Sequence, residues 1–238
     1  MGDESLFDRV ARFHDYEQEN YAMMFFNTKI NPVRELRPLT GMRDGGIKPP
    51  SALYGNNNRL KSVVFSNGIN SPIGRIILVW QREKTTKLIR LILPSERFLL
   101  STHRYTRGKD RSIDQLINAI HGYFDGSRKR LPLDRLDWSV CSTFQQKVLK
   151  HEWLIPYGKV SSYQNLAGSV RDTRCRRAVG SALARNPFPI IIPCHRTVRS
   201  DLSLGGYRGG LKLKRWLLEH EGVEFDASAR ILKKFFRD

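Results

Sequence analysis

Apolar and β-branched residues gather first in "LKSVVFSNG" and "GRIILVWQ", separated by "INSPI", then in "LIRLIL" after the charged turn "REKTTK". Short runs of this kind, bounded by turn residues, predict three strands. The period then changes. In "SIDQLINAIHGYFDG", Leu116, Ile117, Ile120, Tyr123 and Phe124 share one helical face, with Ser112 placed to cap the start and Gly126 to end it. Strands followed by a helix make a small α+β unit over residues 59–127. "SRKRLPLDRLD" reads as a linker, assigned to residues 128–137.

From residue 138 the pattern is one of short helices. "STFQQKVLKHEW" opens with Ser142 and Gln145 at capping-box spacing, and Pro156 and Gly158 break the run. Tyr163, Leu166, Ala167 and Val170 recur at i, i+3, i+4, i+7. "TRCRRAVGSALARNP" is expected to start at a Thr173 cap, to bury Ala178, Val179, Ala182 and Leu183, and to stop at Asn186–Pro187. A helix, a turn and a basic second helix outline a DNA-reading helix-turn-helix, although many three-helix units share that outline. "FPIIIPCHR" is expected to run extended through Pro187, Pro189 and Pro193. "LKLKRWLLEHEG" forms the last helix, closed by Gly222. Residues 1–58 read as an irregular extension with one candidate helix and no functional assignment, and residues 226–238 as a basic tail.

Charge narrows the field. The 238 residues carry a formal net charge of +18, and a polyanion is the commonest partner of such an excess, with solubility the plain alternative. The excess is clustered: from Arg171 to Arg215 eleven Lys or Arg face two acids, Asp172 and Asp201. Three cysteines, at positions 141, 175 and 194, match neither a disulfide framework nor a zinc spacing, which points to a reducing compartment. The start of the chain lacks the apolar stretch of a signal peptide, and no run is long enough to span a membrane. A soluble intracellular protein is the expectation.

The candidate chemistry lies at Cys194, between Pro193 and the pair His195–Arg196. A free thiol has a pKa of about 8.5 and needs a base, a cation or a helix terminus to become a nucleophile. Neighbouring side chains of an extended strand point apart, so a Cys–His pair requires a turn right after Pro193 or a relay through water. A metal ligand and an inert cysteine behind the isoleucine run remain alternatives. Glu221 closes its helix where the macrodipole disfavours negative charge by about 0.3–1 kcal/mol. It is either simply solvated or held by a partner such as a histidine.

Three stretches carry a resemblance: "FQQKVLKHEWLIPYGKVSSYQNLA", "RRAVGSALARNPFPIIIPCHR" and "GGYRGGLKLKRWLLEHEG". Together, and collinearly over residues 138–225, they resemble the O6-alkylguanine-DNA alkyltransferases (methylated-DNA–protein-cysteine methyltransferases). The unit at 59–127 resembles that family's N-terminal domain more loosely. The resemblance implies an α+β N-terminal domain, a small sheet plus helix in a ribonuclease-H-like layout. A mainly α, helix-turn-helix, winged-helix-like C-terminal domain follows it. It further implies a monomer, cytoplasmic or nuclear, that needs no cofactor and no metal. Its substrate would be double-stranded DNA carrying O6-alkylguanine or O4-alkylthymine, and the alkyl group would move irreversibly, once per molecule, to Cys194.

The same resemblance implies roles for single residues. His195 would reach a water that Glu221 also holds. Asn186 would join the recognition helix to the active segment, and Tyr163 would protonate the departing base. Arg177 would fill the gap left by a flipped nucleotide. Pro189, Tyr207 and Arg208 would line the guanine pocket, Arg208 mainly through its backbone N–H, and Lys214 would stand nearby. Arg171, Arg174, Arg176 and Arg185 would neutralise phosphates. Flipping is physically required, because O6 is engaged in base pairing inside the duplex. Departing from the family pattern, "TVRSDLSLGG" follows "PCHR" in place of a glycine-rich turn. Two rival readings are a lesion-binding alkyltransferase-like protein, which characteristically lacks the cysteine, and a helix-turn-helix transcription regulator. A third, a cysteine hydrolase, rarely uses an adjacent Cys–His pair.

Overall fold

In the computed structural model, residues 64–96, 105–170 and 175–237 are described. Three strands, β1 (Val64–Ser71), β2 (Gly74–Arg82) and β3 (Thr86–Ile92), form an antiparallel meander. The two-residue β4 (Thr106–Arg107) joins β1 in parallel, for a sheet order β3-β2-β1-β4. Pairing of β1 with β2 runs to Ser71 opposite Gly74, so Ile69, Asn70 and Ser71 belong to the strand. The expected separator is thus only the Pro72–Ile73 turn. Ile76 to Trp80 are buried without alternation, as expected of a strand covered on both faces.

Helix α1 (Arg111–Phe124) lies against β1 and β3 with Ile113, Leu116, Ile120, Tyr123 and Phe124 buried. Ile117, expected inside, is half-buried. Its cap is Asp110 and not Ser112. The Asp110 carboxylate accepts the Ser112 N–H at 2.9 Å, because Asp110 is the extended residue two positions earlier, where a capping oxygen can reach back. Residues 128–137, expected as a linker, also build: Leu131 and Leu136 are buried, and Leu88 of β3 bonds to Arg135 and Asp137 along its backbone.

The helical part contains α2 (Thr143–Trp153), α3 (Tyr163–Ser169), α4 (Arg176–Ala184) and α5 (Leu211–His220). Ser142 and Ser162 cap α2 and α3 by accepting the N–H of Gln145 and Asn165. Gln145 does not complete a capping box. Its amide instead donates to the Ala182 and Arg185 carbonyls and ties α2 to the end of α4. Helix α4 buries Val179, Ala182 and Leu183, whereas Ala178, expected inside, is exposed. Helix α4 packs against both α2 and α3. Thr173, the expected cap of α4, lies outside the described residues. Gly222, at φ +80°, closes α5 with its N–H on the Glu219 carbonyl and that of Val223 on Leu218.

Short strands β5 (Ser161–Ser162) and β6 (Thr197–Val198) pair in parallel and bring the start of α3 beside the segment after Cys194. Residues 226–237, expected as a tail, are tied back at two points although most of them are exposed: Phe236 bridges to Val160, and Ile231 joins Val160, Val198, Leu218 and Val223 in one core cluster. The described residues of both layers fall within one compact unit, Pro49–Asp238, of α+β architecture.

Candidate active site

The segment from Phe188 to Val198 is buried throughout, yet it is not extended as expected. Asn186 folds it back: its Oδ1 accepts the Phe188 N–H, and its Nδ2 donates to the Ile192 carbonyl at 2.9 Å. Ile190 is held at φ +72°, an uncommon conformation for a β-branched residue, at the crest of this turn. Cys194 to Arg196 then form one 3₁₀ turn, with the Arg196 N–H on the Pro193 carbonyl. The turn that a Cys–His arrangement requires is therefore present, immediately after Pro193.

Cys194 is 8% exposed, and its sulfur accepts a hydrogen bond from Asn186 Nδ2 at 3.2 Å. Burial pushes the thiol up to about 11; the Asn186 hydrogen bond and the charges of Arg208 and Lys214 oppose this, and Glu152 adds to it. His195 is fully buried, with Nε2 2.7 Å from Glu221 Oε1. Glu221 thus holds the ring directly. Burial lowers the imidazole pKa against the pull of Glu221. With the proton on Nε2 facing the carboxylate, Nδ1 presents a lone pair, and this buried atom has no partner among the described residues.

Glu221 is far from simply solvated. Besides His195 it accepts from Arg196 Nε at 2.8 Å and Nη2 at 2.9 Å, from Tyr123 OH at 2.9 Å and from the Gly158 N–H at 3.1 Å. Burial by itself would raise its pKa, but His195 and Arg196 outweigh that and hold it at about 2. Arg196 also donates Nη1 to the Ile155 carbonyl at 2.7 Å. The unfavourable position at the helix end is offset by a charged partner fixed in the active turn.

Tyr163 OH and Lys214 Nζ both donate to the Gly206 carbonyl, at 3.3 and 3.4 Å. Lys214 donates more closely to the Thr197 carbonyl, at 2.6 Å. Burial raises the Tyr163 phenol to about 12, helped by Glu152 and Cys194, so it stays protonated. Burial lowers Lys214 to about 8, while Cys194 and Glu152 act in the other direction. Gly205, at φ +66°, allows the loop to pass against the Tyr163 ring: a Cβ there would lie 3.1 Å from it. Tyr207 meets the His195 ring edge-on, with centroids 6.4 Å apart, and its buried hydroxyl has no hydrogen-bond partner among the described residues. The Arg208 side chain is committed elsewhere, with Nε 2.8 Å from Glu96 and Nη2 on the Asn186 carbonyl. Pro189 is buried in the same turn. The departing segment is itself ordered: Leu202 takes φ +66°, and Asp201 accepts from Ser203.

Arg176 and Arg177 on α4, and Arg185 just after it, are exposed outside this network, and Arg185 donates to Ser181. Arg171 and Arg174 lie outside the described residues. Among the described residues no cluster of His, Cys, Asp and Glu is placed to hold a metal.

Comparison with known proteins now bears on this arrangement. Residues 143–223 match the family model described as the 6-O-methylguanine DNA methyltransferase DNA-binding domain. Over 157 residues the chain is 36% identical to the methylated-DNA–protein-cysteine methyltransferase of Methanothermobacter thermautotrophicus, covering 65% of this chain and 84% of that protein. The chain belongs to the methylated-DNA–protein-cysteine methyltransferases. A constitutive methylated-DNA–protein-cysteine methyltransferase of Bacillus subtilis is 33% identical over 161 residues, 65% of this chain and 93% of its own. The crystal structure of Mycobacterium tuberculosis OGT in complex with DNA aligns at a TM-score of 0.55 and 33% identity, covering 66% of this chain and 92% of that one. For this methyltransferase, the network contains two groups that the sequence reading passed over. Arg196 was visible only as a cation beside the thiol, and Tyr123 only as an apolar position of α1. The readable signal was an arginine inside a run of buried apolar residues, since a buried guanidinium needs an anion.

Proposed function

We propose that this methyltransferase repairs O6-alkylguanine, and O4-alkylthymine, in double-stranded DNA by flipping the nucleotide and moving its alkyl group to Cys194. A monomer suffices for this reading, with a ribonuclease-H-like domain at 59–127 and a winged-helix-like domain at 138–225. The observation that carries the proposal is the Cys194–His195–Glu221 arrangement: a buried thiol next in sequence to a neutral imidazole whose Nδ1 has no partner among the described residues and whose Nε2 is fixed by a carboxylate.

At a pKa of about 11, the thiol is ionised to roughly 10⁻⁴ at neutral pH. Deprotonation therefore has to accompany attack. His195 Nδ1 takes the thiol proton, through one water, and Glu221 stabilises the imidazolium. The sulfur then forms a bond to the alkyl carbon as the C–O6 bond breaks and its electron pair stays on the base. Tyr163, still a phenol, donates a proton to the departing guanine, and Lys214 lies beside the same carbonyl to steady the resulting charge. The product thioether does not hydrolyse, so each molecule acts once. Arg177 inserted into the stack would offset part of the few kcal/mol that extrusion costs. Arg171, Arg174, Arg176 and Arg185 would meet phosphates, making binding fall steeply with salt.

Intact-mass and peptide analysis after mixing with an O6-methylguanine duplex tests this. The expected result is one added methylene per molecule, on the peptide holding Cys194. DNA bound with no mass gain on that peptide would favour a lesion-binding role instead.

A further inference from the structure

The interior holds a second carboxylate to which the transfer assigns no work. Glu152, in the last turn of α2, is 0% exposed. Its Oε2 accepts the Thr197 hydroxyl, while its buried Oε1 has no hydrogen-bond partner among the described residues. The main-chain carbonyl of the same Thr197 accepts Lys214 Nζ. One residue thus stands between a carboxyl group and an ammonium group, each bonded to it. The other charged or titratable groups that feel Glu152 are Cys194 and Arg196 of the active turn and Tyr163 of α3. Arg199, beyond β6, acts on Tyr163 and Lys214.

Among the described residues nothing fully satisfies this carboxylate. An ion with one oxygen unpaired away from water is costly. Burial accordingly pushes Glu152 up to about 7, against the Thr197 hydrogen bond and the charges of Lys214 and Arg196. Glu152 therefore changes charge near neutral pH, within reach of the thiol's field.

We propose that Glu152 is a positioning residue that governs how readily Cys194 ionises: as a carboxylate it competes with the thiolate for the positive field of Lys214, and as a neutral acid it yields that field to the sulfur. This rests on Cys194 being the alkyl acceptor. Of the two anions that keep Lys214 charged, the thiolate acts more strongly. Neutralising Glu152 removes a negative charge that opposes thiolate formation and leaves the ammonium to the sulfur.

The test uses the full chain and iodoacetamide, with the rate of carbamidomethylation read on the Cys194 peptide from pH 5.5 to 9.5. Cys141 and Cys175, on separate peptides, serve as internal references. In Glu152→Gln, the rate should equal the parent's near pH 6, where the parent's carboxyl is neutral, and exceed it several-fold at pH 8. A purely structural effect would change both rates by the same factor, and a ratio that does not vary with pH would overturn the proposal. Thr197→Val removes the donor to Glu152 but keeps the carbonyl on Lys214. It should shift the parent's inflection to higher pH, and an unmoved inflection would also count against the idea. Because iodoacetamide needs neither DNA nor an alkylated base, a failure of methyl transfer and a failure of this proposal give separate results.

Discussion

Arg196 offers the sharpest measurable consequence of the site's construction. Replacing it with methionine keeps most of the length and removes three contacts: Nε and Nη2 to Glu221, at 2.8 and 2.9 Å, and Nη1 to the Ile155 carbonyl at 2.7 Å. Arg196 is 6% exposed and Glu221 4%, so water cannot take over the vacated positions cheaply. Breaking one side of a buried pair typically costs about 3–5 kcal/mol, and an unpaired carbonyl about 1–3 kcal/mol that overlaps with it. About 4 kcal/mol is expected, a large share of the roughly 5–15 kcal/mol that holds a domain together. The loss should also depend on pH. Without the guanidinium, Glu221 binds a proton more readily, so the variant recovers part of its deficit at pH 5 compared with pH 8. Urea unfolding at both values, with an unchanged slope, measures this. Arg196→Met/Glu221→Gln should regain a good part of the loss, because the orphaned charge is gone. A loss under about 1 kcal/mol, or one identical at pH 5 and pH 8, would refute the reasoning.

The remaining expectations are more direct. Glu221 has a folded pKa of about 2 against a model-compound value of 4.5, so its stabilisation is complete above about 4.5 and is lost as pH falls toward 2. That shift is worth about 3 kcal/mol, and Glu221→Gln should flatten the acid limb of urea midpoint against pH. At Gly108 a Cβ would sit 2.5 Å from the Trp80 ring and 2.6 Å from Phe65. Gly108→Ala should therefore destabilise by about 1–3 kcal/mol in the same assay, with a loss near zero refuting the close approach. Arg177→Ala should slow repair of duplex DNA more than transfer from the free alkylated base, and equal losses would argue against a part in flipping.

What could be read from the chain were features that neighbours in sequence decide. Ser142 caps its helix because a hydroxyl reaches an N–H three residues on, and Gly222 ends α5 because glycine accepts a positive φ at little cost. The stretch from Phe188 to Arg196 was legible as motif and misread as shape: its prolines allow an extended path, and the Asn186 side chain selects the turn. Ala178 and Gln145 show the same limit, since helical period does not tell how wide the covered face is, nor which carbonyl an amide will find. The charge network lay beyond sequence altogether. Tyr123 reaches Glu221 across 98 positions, Arg196 across 25, and Glu152 looks on α2 like an ordinary solvated acid. Local order follows from bonds that a short segment can make by itself. Whether a buried charge meets its opposite, and so which group ionises at neutral pH, depends on distances that exist only once α1, α2, α5 and the cysteine turn have closed around the same few atoms.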